Sequence, residues 1–488
     1  MVGLYSLQSD WNTSAWVSQL ADLRTANMIS WHSVLSLALI YTIIVFASVL
    51  VEPAKIAAVV IVLALVAGVG IIRHGFLYLL LAAFAFEWLI RFGSGYDAVS
   101  YAIEFSMAGV AAAGLFFRGE RFALPPSKVL TSFLILFGWI IFRTLFAMNL
   151  NHALRGFVFL LMPLLIFMLS YQLLRARDIF RNILIFQLVL AIAFVLAGVS
   201  EHIIGGLSRL WLVNMKPNAV AGYTYIAASI SLFSIDYFRN KSLKLLSLLA
   251  LIGLAYVIVL TGSRSAMFAL ATFCTVYLWF SGRKKLVVVG YSAVFAGIAL
   301  ILLSGIFSDT ITQVSRILRL ASGLTMRDEL WRSAMNLISD YPLAGVGTSC
   351  VGTVFSDYVR WTDPRVILLA HGPAEAGIIH NGILNMTAQF GLIGAALTLW
   401  TLAASFSYIF RIRRQLTGEM HRLSSFVIAA IVAIMAHGLF ENRIPFGVFV
   451  NDSMFAIFVA GAFSQMISKT SDRVRHDPGP PDIPPGPE

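Results

Sequence analysis

Charge is what this sequence has least of. Asp, Glu, Lys and Arg make up 12% of its 488 residues, about half the share of a soluble chain, and a soluble surface cannot be covered with so few. A soluble enzyme and a disordered chain are therefore excluded as the main body. Cysteine is nearly missing. Cys274 lies in an apolar run and Cys350 in a polar stretch, which supplies neither a disulfide scaffold nor a zinc spacing. The first 31 residues lack a basic start leading into a short apolar core. No cleavable leader is predicted there, and the first span is expected to serve as an uncleaved signal. Acidic residues are short against basic ones, 24 to 35, a net charge of +11. In a membrane protein that excess reads as Lys/Arg-rich cytoplasmic loops, not as a nucleic-acid surface. Carboxylate pairs of the glycosidase kind are not obvious. No convincing internal repeat is visible either, which counts against an inverted-repeat transporter.

What the chain does have is long apolar runs. The hydrophobic share is 59%, gathered into stretches near the 20 or so residues that a spanning helix needs. They fall near 33–52, 55–72, 75–92, 98–117, 129–147, 153–174, 180–200, 219–237, 243–261, 265–281, 286–307, 382–409, 423–440 and 447–467. The predicted fold is an all-α polytopic membrane protein with about 12–14 transmembrane helices. Residues 1–32 form a cytoplasmic N-terminal segment, 33–307 transmembrane helices, 308–381 a long outer loop, 382–467 the C-terminal spans and 468–488 a disordered Pro-rich cytoplasmic tail. Alternate loops are basic, holding for example Arg175 and Arg177, Lys241 and Lys244, or Arg411 and Arg414. These are expected inside the cell, which puts the loop 308–381 outside.

Charges and aromatics near the spans have two readings each. Glu87, Glu104 and Arg143 are either a proton relay or, as favoured here, paired with neighbours such as Arg91. Glu441 and Arg443 sit in a short outer turn and either join a polar site or pair with each other. Trp88, Trp139 and Trp400 read as interface anchors.

The outer loop is too polar to span and too patterned for a linker. Ile311, Val314, Ile317, Leu318 and Ala321 share a helical face, with Arg316 and Arg319 off it. A second helix is predicted after the capping-box-like Thr325 and Asp328, with Met326, Leu330, Ala334, Leu337 and Ile338 repeating every three or four residues and Arg327 one turn from Trp331. Tyr341-Pro342 stops it, and Gly345-Val346-Gly347 makes a tight turn. Both are read as short amphipathic helices at the outer interface. The loop ends in His380-Asn381, directly before a span. An imidazole there can exchange a proton near neutral pH; the plainer reading is a helix start with a satisfied histidine. Arg264, in Thr-Gly-Ser-Arg-Ser at 261–265, either binds an anion or snorkels to headgroups. Lys216-Pro217-Asn218 lies on the same side.

The order of these motifs resembles the O-antigen ligase and polymerase superfamily of bacterial membrane glycosyltransferases. Lys-Pro-Asn at 216–218, Thr-Gly-Ser-Arg-Ser at 261–265, Arg327 with Trp331, Tyr-Pro-Leu-Ala-Gly-Val-Gly at 341–347, His-Asn at 380–381 and Gly-Leu-Ile-Gly at 391–394 carry the resemblance. It implies a GT-C-like, metal-independent enzyme of the inner membrane, without cofactor, whose active site faces the periplasm. The implied donor is an undecaprenyl-diphosphate-linked glycan, and the acceptor is lipid A–core or another lipid-linked glycan. It implies catalytic roles for His380, Arg264 and Arg327, with Lys216, Asn218, Arg316, Arg319, Trp331 and Asn381 binding substrate. His371 lies close enough to His380 in sequence to compete with it for the base. Inversion at the anomeric carbon is likewise implied. The competing class is a lipid-linked oligosaccharide flippase or other polysaccharide transporter, which suits the many spans but leaves the patterned loop unexplained.

Overall fold

A computed structural model describes residues 123–205, 210, 217–292, 327–358, 379–450 and 452–476. All belong to one unit, Leu77–Glu488. The spans expected between 33 and 117, the first loop helix with Arg316 and Arg319, Lys216, His371 and the Pro-rich end lie outside the described residues.

The chain is an all-α polytopic membrane protein. Among the described residues seven helices are long and apolar enough to cross a membrane, and two shorter apolar helices accompany them. In chain order come the spans α1 (Ser127–Leu145), α2 (Leu150–Leu173), α3 (Arg177–Gly205), α4 (Pro217–Tyr237) and α5 (Lys241–Thr261), then the shorter apolar helix α6 (Arg264–Phe280). Next come the loop helices α7 (Arg327–Asp340) and α8 (Val351–Val354). They are followed by α9 (Gly382–Arg413), α10 (Gly418–Gly438), a hairpin of β1 (Pro445–Phe446) and β2 (Phe449–Val450), and α11 (Ser453–His476).

Local chemistry sets the helix ends. Asn149, Asn240 and Asn381 cap α2, α5 and α9, their side-chain oxygens accepting backbone N–H groups that the first turn leaves orphaned. Gly262, at φ 62°, closes α5 in the left-handed region, where a residue without Cβ is least strained. The next residue but one opens α6, so the Thr-Gly-Ser-Arg turn is a helix hairpin. Position in the bundle follows from which faces are apolar. α4 is buried on every side from Val220 to Ser231, as expected of a helix without a polar face. Its Thr224, Ser229 and Ser231 hydroxyls donate to carbonyls one turn back. α5 instead exposes Leu245, Leu248, Leu249, Ile252, Tyr256 and Val259, a stripe suited to lipid.

The loop segment 341–349 is built into the bundle through a break in α9. Gly391 adopts φ 68°, ψ −175°, a conformation nearly confined to glycine. At this break the backbone N–H groups of Leu392 and Ile393 donate outward to the carbonyls of Pro342 and Leu343, at 2.8 and 3.3 Å. Those of Val346 and Gly347 donate back to the carbonyls of Ala388 and Gln389, both at 2.9 Å. The Trp139 indole donates to the Phe390 carbonyl at 2.9 Å, and Arg143 Nη2 to the Gly345 carbonyl at 2.9 Å. Irregular backbone at membrane depth survives only when protein satisfies it, and these bonds do so. Trp139 is therefore a partner of the kink and not simply an interface anchor. Arg143 serves a carbonyl, where pairing with a charged neighbour was expected.

Two boundaries differ from expectation. The apolar stretch starting at 447 is not yet a span: 445–450 forms a hairpin, with Pro445 opposite Val450 and Phe446 opposite Phe449. Gly447, at φ 70°, makes its turn, and Phe449 stacks on Phe133 at 4.0 Å. α11 begins only at Ser453, where Asp452 accepts the N–H of Phe455. It then runs past 467 to His476.

Candidate active site

The N-termini of α4, α6 and α9 and the C-terminus of α10 meet at one end of the bundle. α7 packs there against α9, its Leu330, Ala334 and Leu337 buried in a small core with Val346, Cys350 and Ile379. The helix predicted on this spacing therefore forms, with the expected face inward.

The polar centre of this end is Glu441. Its backbone N–H donates to the His437 carbonyl at 3.0 Å, prolonging the last turn of α10. Three groups converge on its carboxylate. Asn218 Nδ2, at the start of α4, donates to Oε1 at 3.2 Å. Arg327 Nη2, from the first turn of α7, donates to Oε1 at 3.2 Å. His380 Nδ1, just before α9, lies 3.3 Å from Oε2. Side-chain exposure is 16% at Glu441 and 17% at Arg327 but 32% at His380, so of these three ionisable groups the imidazole is the one that solvent reaches most easily. Burial pushes the Glu441 carboxyl up, yet the hydrogen bond and charge of His380 and the charges of His437 and Arg327 outweigh it and hold the group below its ordinary value.

His380 is held in a tense backbone state. Its φ is 50°, rare for a residue with a Cβ and a recurrent feature of functional sites. Neighbours keep it there. Trp331 Nε1 donates to the Ile379 carbonyl at 3.1 Å. Asn381 Oδ1 accepts the N–H of Leu384 at 3.0 Å, while its Nδ2 donates to the Leu439 carbonyl at 3.2 Å. The turn after Glu441 is wedged in place. A Cβ on Gly438 would lie 1.9 Å from the Arg443 carbonyl oxygen, and one on Gly382 2.4 Å from it, so only glycine permits this packing. Arg443 forms an ion pair with Asp452 and lies against Gly222 of α4. Burial alone lowers the Arg443 guanidinium, but Asp452, Tyr225 and Glu441 raise it above its ordinary value.

The structure thus gathers His380, Arg327 and Asn218 around one carboxylate, and sets Trp331 and Asn381 on the backbone flanking His380. Arg264 stands half-buried at the first position of α6, at the same end. One turn along, Phe268 meets the Phe440 ring edge-on at 5.9 Å, and Arg327 lies over that ring at 6.0 Å. Arg264 has no ion-pair partner among the described residues. Glu441 and Arg443 do not pair with each other; Glu441 joins the site and Arg443 closes on Asp452. The part of Glu441 was the least legible, because only a tertiary meeting of four helix ends decides it. Chemically, the set offers a proton acceptor beside guanidinium groups, which suits transfer away from a phosphate leaving group.

Residues 247–399 match the family model described as O-antigen ligase. No curated protein matches the chain. The matched stretch holds Arg264, Arg327, Trp331, His380 and Asn381, while Asn218 and Glu441 lie to either side of it. Over this stretch the chain is similar to the O-antigen ligase family, which supports the resemblance carried by its motifs.

Proposed function

We propose that this chain transfers a glycan from undecaprenyl diphosphate to a sugar hydroxyl at the periplasmic face of the bacterial inner membrane. As a ligase it would load lipid A–core. The observation that carries the reading is the convergence of His380 and Arg327 on one half-buried carboxylate, at the bundle end where Arg264 also lies. Sidedness is supported by the opposite end, which holds Arg175, Arg239, Lys241, Lys284 and Arg411, as expected of the cytoplasmic side.

The reaction is a single displacement. The acceptor oxygen bonds to the anomeric carbon, the bond from that carbon to the diphosphate oxygen breaks, and the configuration inverts. His380 takes the acceptor's proton as the new bond forms; general-base help of this kind is worth about 10²- to 10⁴-fold. The departing diphosphate gathers negative charge, and the fixed guanidinium groups of Arg327 and Arg264 stabilise it without a metal. Lys216, Asn218, Arg316, Arg319, Trp331 and Asn381 complete the proposed substrate contacts, Trp331 and Asn381 through the backbone they hold.

The test is a deletion strain carrying wild type or His380→Ala, with lipopolysaccharide followed by gel and the undecaprenyl-linked pool by mass spectrometry. The expected outcome is full-length polymer held on the lipid carrier and bare lipid A–core. Single repeats reaching the surface identify a repeat-unit polymerase instead. Donor held on the cytoplasmic leaflet, or a wild-type profile from a folded variant, overturns the reading.

A further inference from the structure

We infer that Glu441 is the positioning residue of this site: one carboxylate oxygen fixes the His380 ring with Nδ1 protonated and Nε2 presented to the acceptor, while the other anchors Arg327. The inference rests on the proposed transferase reading and adds a residue that lies outside the matched stretch 247–399.

The first argument is a proton count. The groups around Glu441 hold its carboxyl below the ordinary carboxylate range, so it is ionised at neutral pH, and an ionised carboxylate only accepts hydrogen bonds. His380 Nδ1, 3.3 Å from Oε2, must then be the nitrogen that carries the hydrogen. A neutral imidazole has one such nitrogen, so the lone pair is on Nε2. Among the described residues Nε2 has no hydrogen-bond partner. The ring therefore faces outward with its basic nitrogen, and the proton taken from the acceptor creates an imidazolium beside a carboxylate that stabilises it.

The second argument is rigidity. A residue can orient another only if it is itself fixed. Glu441 continues the last turn of α10 through its bond to the His437 carbonyl. Two residues on, the chain is trapped between Gly382 and Gly438, and Arg443 closes on Asp452. The third argument is sharing. Oε1 takes both Arg327 and Asn218, which ties the base, the guanidinium and the start of α4 to one group. Base and phosphate-binding arginine are then held at a set separation before either substrate arrives, and effective orientation of this kind is a large part of catalysis.

The experiment uses full-length protein in nanodiscs, with undecaprenyl-diphosphate-linked O-antigen as donor and lipid A–core as acceptor. Wild type, Glu441→Ala, Glu441→Gln and His380→Gln are compared. kcat and KM are measured, and protein labelled with [15N]histidine reports the His380 tautomer, its signal assigned by loss in His380→Gln. Glu441→Ala is expected to lower kcat by about 10²-fold or more with acceptor KM little changed, and to bring up a signal from the tautomer protonated on Nε2. Glu441→Gln conserves size and one acceptor oxygen, so the tautomer readout survives even where the alanine variant does not fold. Its kcat is expected between the two. An unchanged His380 tautomer in both Glu441 variants, or kcat at the wild-type level in either, overturns the positioning role. If His380→Gln is inactive while Glu441→Ala is active, only this inference falls. If His380→Gln is active, the transferase reading of His380 falls as well.

Discussion

The two ends of the bundle handle charge differently. At the end rich in Lys and Arg, polar groups close on one another. Asp236 takes both the Tyr277 hydroxyl and Arg283. Arg413 donates to the Phe280 and His421 carbonyls and to the Ser424 and Ser425 hydroxyls, with its guanidinium 5.3 Å from the Phe280 ring centroid. These are staples that tie α6, α9 and α10 together. At the other end, Glu441 gathers three donors but the histidine keeps its second nitrogen open, and Arg264 has no ion-pair partner among the described residues. A staple consumes its hydrogen-bonding capacity; a site holds some back at the expense of stability. The distinction rests on which atoms are left over, not on how many charges are present.

Exchanging arginine for alanine at each end is the sharpest way to break this contrast. Arg264→Ala is expected to cut transfer by about 10²-fold or more, the scale of removing one preorganised donor to a developing anion, while the folded protein melts at the wild-type temperature. Arg413→Ala is expected to do the reverse. It removes the side-chain donor to the Phe280 carbonyl and leaves Ser424, Ser425 and the His421 carbonyl with only one another, costing about 1–2 kcal/mol of stability, and leaves kcat per folded molecule unchanged. Transfer assays and thermal melts of the purified variants check both. An Arg264 variant that loses stability but keeps its kcat would make that arginine another staple.

Next in size is the kink. A Cβ on Gly391 would lie 2.0 Å from the Leu343 carbonyl oxygen, and its φ and ψ exclude other residues as well. Gly391→Ala should therefore cost about 3 kcal/mol or more, combining backbone strain with a clash against main chain that cannot move aside. The measurement is yield of monodisperse protein and its melting temperature. Wild-type stability would mean that the loop 341–347 does not thread the break in α9.

How much of this was legible in the sequence depends on whether the deciding interaction is local. The helices of the described residues follow from apolar runs and caps, and the Thr-Gly-Ser-Arg turn from a glycine between two runs. The loop helix α7 was readable from its spacing, since burial of Leu330, Ala334 and Leu337 needs only a helical period. The hairpin 445–450 was not, because its apolar residues look like the start of a span and hydropathy is blind to backbone direction. His380, Arg327 and Asn218 could be singled out as reactive or polar residues at helix starts facing one side. Glu441 could not be assigned, since its partners come from residues 218, 327 and 380, far apart in the chain. The partners of Trp139 and Arg143 were not legible for a related reason: the carbonyls they serve belong to the broken turn of α9 and to the loop packed against it.

The smallest effect separates the two kinds of stabilisation by pH. Glu441 has a folded-state carboxyl held below its ordinary value of 4.5, so the folded state favours the ionised form. Its contribution to stability is fully present above that ordinary value and is lost as the pH falls through the lowered one. Melting temperatures of wild type and Glu441→Gln should therefore differ most at neutral pH and converge as the pH falls through the lowered value and the carboxyl takes up its proton. The deficit of Gly391→Ala is steric and should stay the same across that range. A gap for Glu441→Gln that persists in acid would mean that size and shape, and not the charge facing His380 and Arg327, are what this side chain supplies.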